Sequence, residues 1–64
     1  MKVNGREMSF SEPMTIANLL YDLKISIEKV VVEVDGKIVS KDEFSSFILK
    51  ENNSVEVISF VGGG

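Results

Sequence analysis

Residues 30–39 read Val30-Val31-Val32-Glu33-Val34-Asp35-Gly36-Lys37-Ile38-Val39, and this stretch decides the fold. Val30, Val32 and Val34 alternate with Val31 and Glu33, the period-two pattern of a strand with one face turned to a core. β-Branched side chains suit such a pleated, half-buried surface. Asp35-Gly36 places two residues that tolerate positive φ where a type I′ turn requires them, so the chain doubles back into Lys37-Ile38-Val39. A hairpin with one apolar face needs a second layer to cover it.

The sequence upstream supplies that layer. Ile16, Leu19, Leu20 and Leu23 stand at i, i+3, i+4 and i+7, one apolar stripe that predicts a helix over residues 15–24. Thr15 is its expected N-cap, and Met14 is placed to touch Leu19 as a hydrophobic staple. Lys24 occupies the place where a Gly would most easily reverse the backbone. Ser26-Ile27-Glu28-Lys29 predicts a further short turn. Nearer the start, Asn4-Gly5 is a second type I′ signal. It closes a hairpin over residues 1–10, with Met1, Val3, Met8 and Phe10 alternating against polar neighbours.

Downstream, Ser40-Lys41-Asp42-Glu43 has capping-box spacing and Val39 with Phe44 repeats the staple. This predicts a short second helix through Phe47, with Phe44, Phe47 and Ile48 as its apolar contacts. Asn52-Asn53 is read as a turn, because Asn accepts the left-handed conformation at modest cost. Residues 54–60 form the last strand, Val55 and Val57 facing one way and Glu56, Ile58 and Phe60 the other. The order is two strands, a helix, two strands, a short helix and a strand. It predicts an α+β, β-grasp architecture: a mixed sheet of four to five strands packed on one main helix with a short second helix. The expected core is Met1, Val3, Ile16, Leu19, Leu20, Leu23, Val32, Val55 and Val57. Residues 1–61 form the domain and residues 62–64 a flexible Gly tail.

Sixty-four residues that are 44% hydrophobic suffice for one small core. The formal charge is −3, with ten acidic residues against seven basic ones scattered along the chain, which argues against a nucleic-acid partner. No uninterrupted apolar run exceeds three residues, so no membrane span is expected. The start lacks a secretory signal pattern, and a cytoplasmic protein is the expectation. The absence of Cys and His removes thiolate and imidazole metal ligands and the usual general base. The Ser residues of Ser9-Phe10-Ser11 and Ser45-Ser46 lack an activating His, and a core this small is not expected to enclose a substrate cleft. No catalytic residue and no bound cofactor or metal is therefore expected.

The chemistry-bearing feature is the C-terminal sequence, where the last strand runs through Phe60-Val61 into Gly62-Gly63-Gly64. Three glycines neither extend a strand nor pack a core, since ordering them costs the most backbone entropy. They make a thin thread, roughly 13–14 Å long from Val61 when extended, with a carboxylate at its tip. Adenylation by a partner enzyme turns such a carboxylate into a mixed anhydride that a sulfur donor converts to a thiocarboxylate. Strand alternation turns Ile58 and Phe60 to the outer side of the sheet, together with Val31 and Glu33. Phe60, Ile58 and Val61 are the candidate docking surface beside the tail, and Glu33 makes that surface less uniformly apolar.

Val3-Asn4-Gly5, Thr15-Ile16-Ala17-Asn18-Leu19-Leu20, Val34-Asp35-Gly36 and Phe60-Val61-Gly62-Gly63-Gly64 together resemble the ThiS family of sulfur carriers in thiamine biosynthesis. That family lies within the ubiquitin-like group that also holds the molybdopterin-synthase small subunit, and the resemblance spans essentially the whole chain. It implies that Gly64 is adenylated by a ThiF-like adenylyltransferase using ATP, then thiocarboxylated with sulfur from a donor enzyme. It implies that Gly62 and Gly63 thread into the partner and that the ThiG thiazole synthase receives the sulfur. The chain departs from the family at Lys24, where a Gly often follows the helix, and at Glu51-Asn52-Asn53, which replaces an acidic-Gly turn. A carrier serving molybdopterin or tRNA thiolation, a non-covalent ubiquitin-like interaction module and a protein modifier remain alternatives.

Overall fold

The computed structural model describes residues 1–9 and 13–60. The expectations for Phe10, Val61 and Gly62–Gly64 lie outside the described residues.

Both type I′ turns form. Asn4 and Gly5 have φ of 53° and 82°, and Asp35 and Gly36 have 52° and 84°. The first turn joins β1 (Lys2–Val3) to β2 (Arg6–Glu7), with Val3 opposite Arg6. The second joins β4 (Val30–Val34) to β5 (Lys37–Val39), with Val32 opposite Val39. Between them run β3 (Met14–Thr15) and α1 (Ile16–Asp22), and the last strand is β7 (Ser54–Ser59). The five-stranded sheet has the order β2-β1-β7-β4-β5. β7 is its centre, parallel to β1 and antiparallel to β4.

α1 is shorter than the predicted 15–24 because its end is set by a backbone reversal at Lys24, which has φ 60°. The Ile25 N–H donates to Leu20 O at 2.9 Å and the Lys24 N–H to Tyr21 O at 3.1 Å. That pairing is a Schellman closure, here built on Lys where Gly is usual. At the other end Thr15 Oγ1 accepts from the Asn18 N–H at 3.0 Å, and Asn18 Oδ1 accepts from the Thr15 N–H at 3.3 Å. The N–H groups of Ile16 and Ala17 donate to Phe47 O and Phe44 O.

The predicted second helix is only a 3-10 turn at Lys41–Glu43, with no side-chain cap from Ser40. The carbonyls of Phe44 and Phe47 serve the start of α1. The chain then extends into β6 (Ile48–Leu49), which pairs antiparallel with β3: Met14 opposite Leu49, Thr15 opposite Ile48. Met14 is thus drawn into a ribbon, and Ile48 is exposed instead of serving as an apolar contact of a helix. The short turn expected after Ser26 is a 3-10 turn at Ile27–Lys29.

The core contains eight of the nine expected residues: Met1, Val3, Ile16, Leu19, Leu20, Val32, Val55 and Val57. Leu23, at the α1 C-cap, is only partly buried against it. Val30, Val34, Val39, Phe44 and Leu49 complete it. α1 covers one face of the sheet through Ile16, Leu19 and Leu20. No described helix is long and apolar enough to cross a membrane.

Candidate functional site

β7 carries the candidate site because it is hydrogen-bonded on both sides and leads to the Gly sequence. Its alternation is sharp: Val55 and Val57 are buried, while Ser54, Glu56, Ile58 and Ser59 are exposed. The register with β4 sets Ile58 opposite Val31 and Glu56 opposite Glu33. β5 adds Ile38 opposite Glu33. The face away from α1 therefore shows two rows, Val31 beside Ile58 and Ile38-Glu33-Glu56 in line across three strands. Ile38 is 71% exposed, Phe60 58% and Ile58 46%, whereas Val31 and Glu33 are half-buried.

Phe60 lies just past β7, and its N–H donates to Lys29 O at 2.8 Å. Sheet pairing thus persists to the last described residue, so the direction in which the backbone leaves the sheet is fixed. Of the candidate residues, Ile58 and Phe60 stand on this outer face, whereas Val61, Gly62, Gly63 and Gly64 lie outside the described residues. Sequence reasoning left Ile38 and Glu56 out of the candidate surface. The signal for Ile38 was available in the Asp35-Gly36 turn: a two-residue turn sets Ile38 opposite Glu33, and hence on its face.

At the opposite end of β7 a polar cluster anchors the strand. Asp35 Oδ1 accepts from the Ser54 N–H at 2.9 Å and Asp35 Oδ2 from Asn53 Nδ2 at 2.8 Å. Asn53 Oδ1 accepts from the Lys50 N–H at 2.7 Å, and Asn4 Oδ1 from the Val57 N–H at 2.7 Å. The expected Asn52-Asn53 turn is present without a left-handed residue; the Asn53 amide stabilises it instead.

An open groove of about 460 Å³ runs between the end of the sheet and the β3-β6 ribbon, larger than so small a core led us to expect. The unforeseen ribbon forms one of its sides. Met1, Met8, Met14, Ile48 and Leu49 line it with Glu7, Lys50 and Glu51. The Glu7 carboxylate accepts from the Met1 ammonium at 3.0 Å. Among the described residues no group of three Asp or Glu could hold a metal ion.

The sequence model of the ThiS family matches residues 1–64. A thiamine biosynthesis protein (ThiS) from Geobacter metallireducens has a similar crystal structure, with TM-score 0.82 and 32% identity over 98% of this chain and 96% of that one. The sulfur carrier protein ThiS of Bacillus subtilis is 28% identical over 100% of this chain and 98% of its own length. A thiazole synthase of Paramagnetospirillum magneticum is 36% identical over 97% of this chain, which spans only 19% of that protein. The β-grasp fold and the family match over residues 1–64 agree, and the chain belongs to the ThiS family.

Proposed function

We propose that this chain is a sulfur carrier for thiazole assembly in thiamine biosynthesis and that the Gly64 carboxylate is the group charged. A carboxylate oxygen of Gly64 attacks the α-phosphorus of ATP in a ThiF-like adenylyltransferase, and pyrophosphate leaves. Hydrosulfide supplied by a donor enzyme then attacks the acyl carbon, the acyl–oxygen bond to the phosphate breaks, AMP departs and the sulfur loses its proton. The resulting thiocarboxylate delivers sulfur to a ThiG-type thiazole synthase. ATP and sulfur belong to the partners; the carrier contributes the acyl carbon, the narrow Gly62-Gly63 approach and a rigid body that presents them. Ile58, Phe60 and Val61 form the docking surface next to the tail.

The observation that carries this reading is the position of Phe60, exposed and bonded to Lys29, immediately before the sequence Val61-Gly62-Gly63-Gly64 at the end of the central strand. A frayed end needs no such anchor. A body that hands its terminus to another active site does, because holding the tail's origin lowers the entropy lost on docking. The likeness to part of a thiazole synthase favours that enzyme as the sulfur acceptor.

Intact mass spectrometry tests the proposal. With ATP, a ThiF-type enzyme and a sulfur-donating enzyme, the chain gains the mass difference between sulfur and oxygen. An unchanged mass, with enzymes shown to be active on another carrier, refutes it. Deleting Gly64 abolishes the gain and leaves the unfolding midpoint in place; thiocarboxylation of the shortened chain would overturn the tail assignment.

A further inference from the structure

Glu33 and Glu56 are directly opposed on β4 and β7. Cross-strand neighbours in this relation have Cβ atoms about 4.5–5.5 Å apart, and like charges there destabilise a sheet. Among the described residues no Lys or Arg nitrogen lies within 4.0 Å of either carboxylate; the ion pair found is Met1 with Glu7. Lys2 comes nearest by register, opposite Ser54 on the neighbouring strand, and forms no pair with Glu56. Glu33 is also half-buried, so part of its hydration is already lost. The free protein therefore carries an unfavourable charge pair in the middle of its uncovered face.

Apolar side chains stand on both sides of the pair. Ile58, Val31 and Phe60 lie toward the tail and Ile38 toward the sheet edge. We propose that the surface of the ThiF-type enzyme receiving this face holds an Arg or Lys side chain over Glu33 and Glu56, and an apolar pocket for Ile58 and Phe60 that begins about 7 Å and ends about 13 Å along the strand from Glu56. A cation between two carboxylates relieves their repulsion and gains two charge-assisted hydrogen bonds. The same charges weigh against other occupants. A second copy meeting by this face would gather four carboxylates, and a phosphate-rich surface would be repelled. The proposal rests on the sulfur-carrier reading and adds the chemistry of the partner's surface.

The test uses the full chain with Glu33→Gln, Glu56→Gln and the double substitution, measured free and with the ThiF-type enzyme. Removing one or both charges raises the free protein's unfolding midpoint. It also raises the KM for the carrier in ATP-pyrophosphate exchange, about tenfold for the double variant, leaves kcat unchanged and flattens the dependence of KM on salt. A purely structural pair moves stability alone. An unchanged or lower KM overturns the proposal, as does a lowered midpoint, which would make the pair stabilising. Self-association strengthened by the double substitution, seen by sedimentation, would place a second copy on this face and overturn it too. Failure of the wild-type chain to support exchange would sink the carrier reading itself, and this proposal with it.

Discussion

Among the described residues Lys24 holds the one left-handed conformation outside the two hairpin turns, with φ 60°. An L side chain in that region meets its own carbonyl and costs about 1–2 kcal/mol, offset in part by the greater unfolded-state entropy of Gly. Lys24→Gly is thus expected to stabilise the protein by about 0.5–1 kcal/mol, read from urea unfolding as a higher midpoint at unchanged slope. A lower midpoint would mean that the Lys stem contributes packing that outweighs its strain. Asp35 is the contrasting residue. Its left-handed backbone is held by its own carboxylate, which ties the turn to Asn53 and Ser54. Asp35→Ala loses both bonds while keeping the strain, an expected cost of about 1–2 kcal/mol. Asp35→Asn should restore most of it, because an amide oxygen still accepts from Ser54 and Asn tolerates the conformation.

α1 has seven residues, too few to be stable in isolation. Its start is secured three ways: Thr15 Oγ1 receives the Asn18 N–H, and the Phe47 and Phe44 carbonyls receive those of Ile16 and Ala17. A helix this short depends on satisfying its first donors. Thr15→Ala should therefore cost about 1 kcal/mol, whereas Thr15→Ser should be close to neutral, both measured by thermal unfolding. A neutral Thr15→Ala would assign the start of α1 to the Phe44–Phe47 carbonyls alone. β7 shows the opposite economy: it pairs with β4 from Val55 to Ser59 and with β1 at Ser54 and Val55, and Phe60 is still tied to Lys29. That difference gives the end of β7 the rigidity that a presenting element requires.

For the molecule as a whole, one layer of packing holds everything, and Ile16, Leu19, Leu20, Val30, Val32 and Val55 are its fully enclosed centre. A domain of this size has about 3–5 kcal/mol of net stability. Leu19→Ala opens a cavity beneath the sheet at an expected cost of about 3 kcal/mol, enough to leave a large unfolded fraction by circular dichroism at 25 °C. A midpoint near that of the wild type would show that the core collapses around the gap. Because α1 covers one face only, the other is left with Ile38, Ile58 and Phe60 exposed in a small protein. Exposed apolar side chains gathered on one face of so small a protein are a mark of interaction.

Periodicity and turn chemistry alone determined both hairpins, the apolar stripe of α1 and the inward set of β4 and β7. Each of those signals is local: alternation by two, a stripe at i, i+3, i+4, or an Asn-Gly or Asp-Gly pair whose backbone needs are met within two residues. Tertiary structure decided what depends on partners distant in sequence. Two-residue strands carry no period, so the pairing of Met14 with Leu49 was illegible. The capping-box spacing at Ser40 yielded only a 3-10 turn, because the chain leaves it to pair Ile48 and Leu49 with the distant Thr15 and Met14. Asn53 acts through its side chain, and its bond to Asp35 exists only because the Asp35 turn is folded beside it. The opposition of Glu33 to Glu56 belongs here too. Strand alternation put both on the outer side, but only the register of β4 against β7 brought the charges face to face.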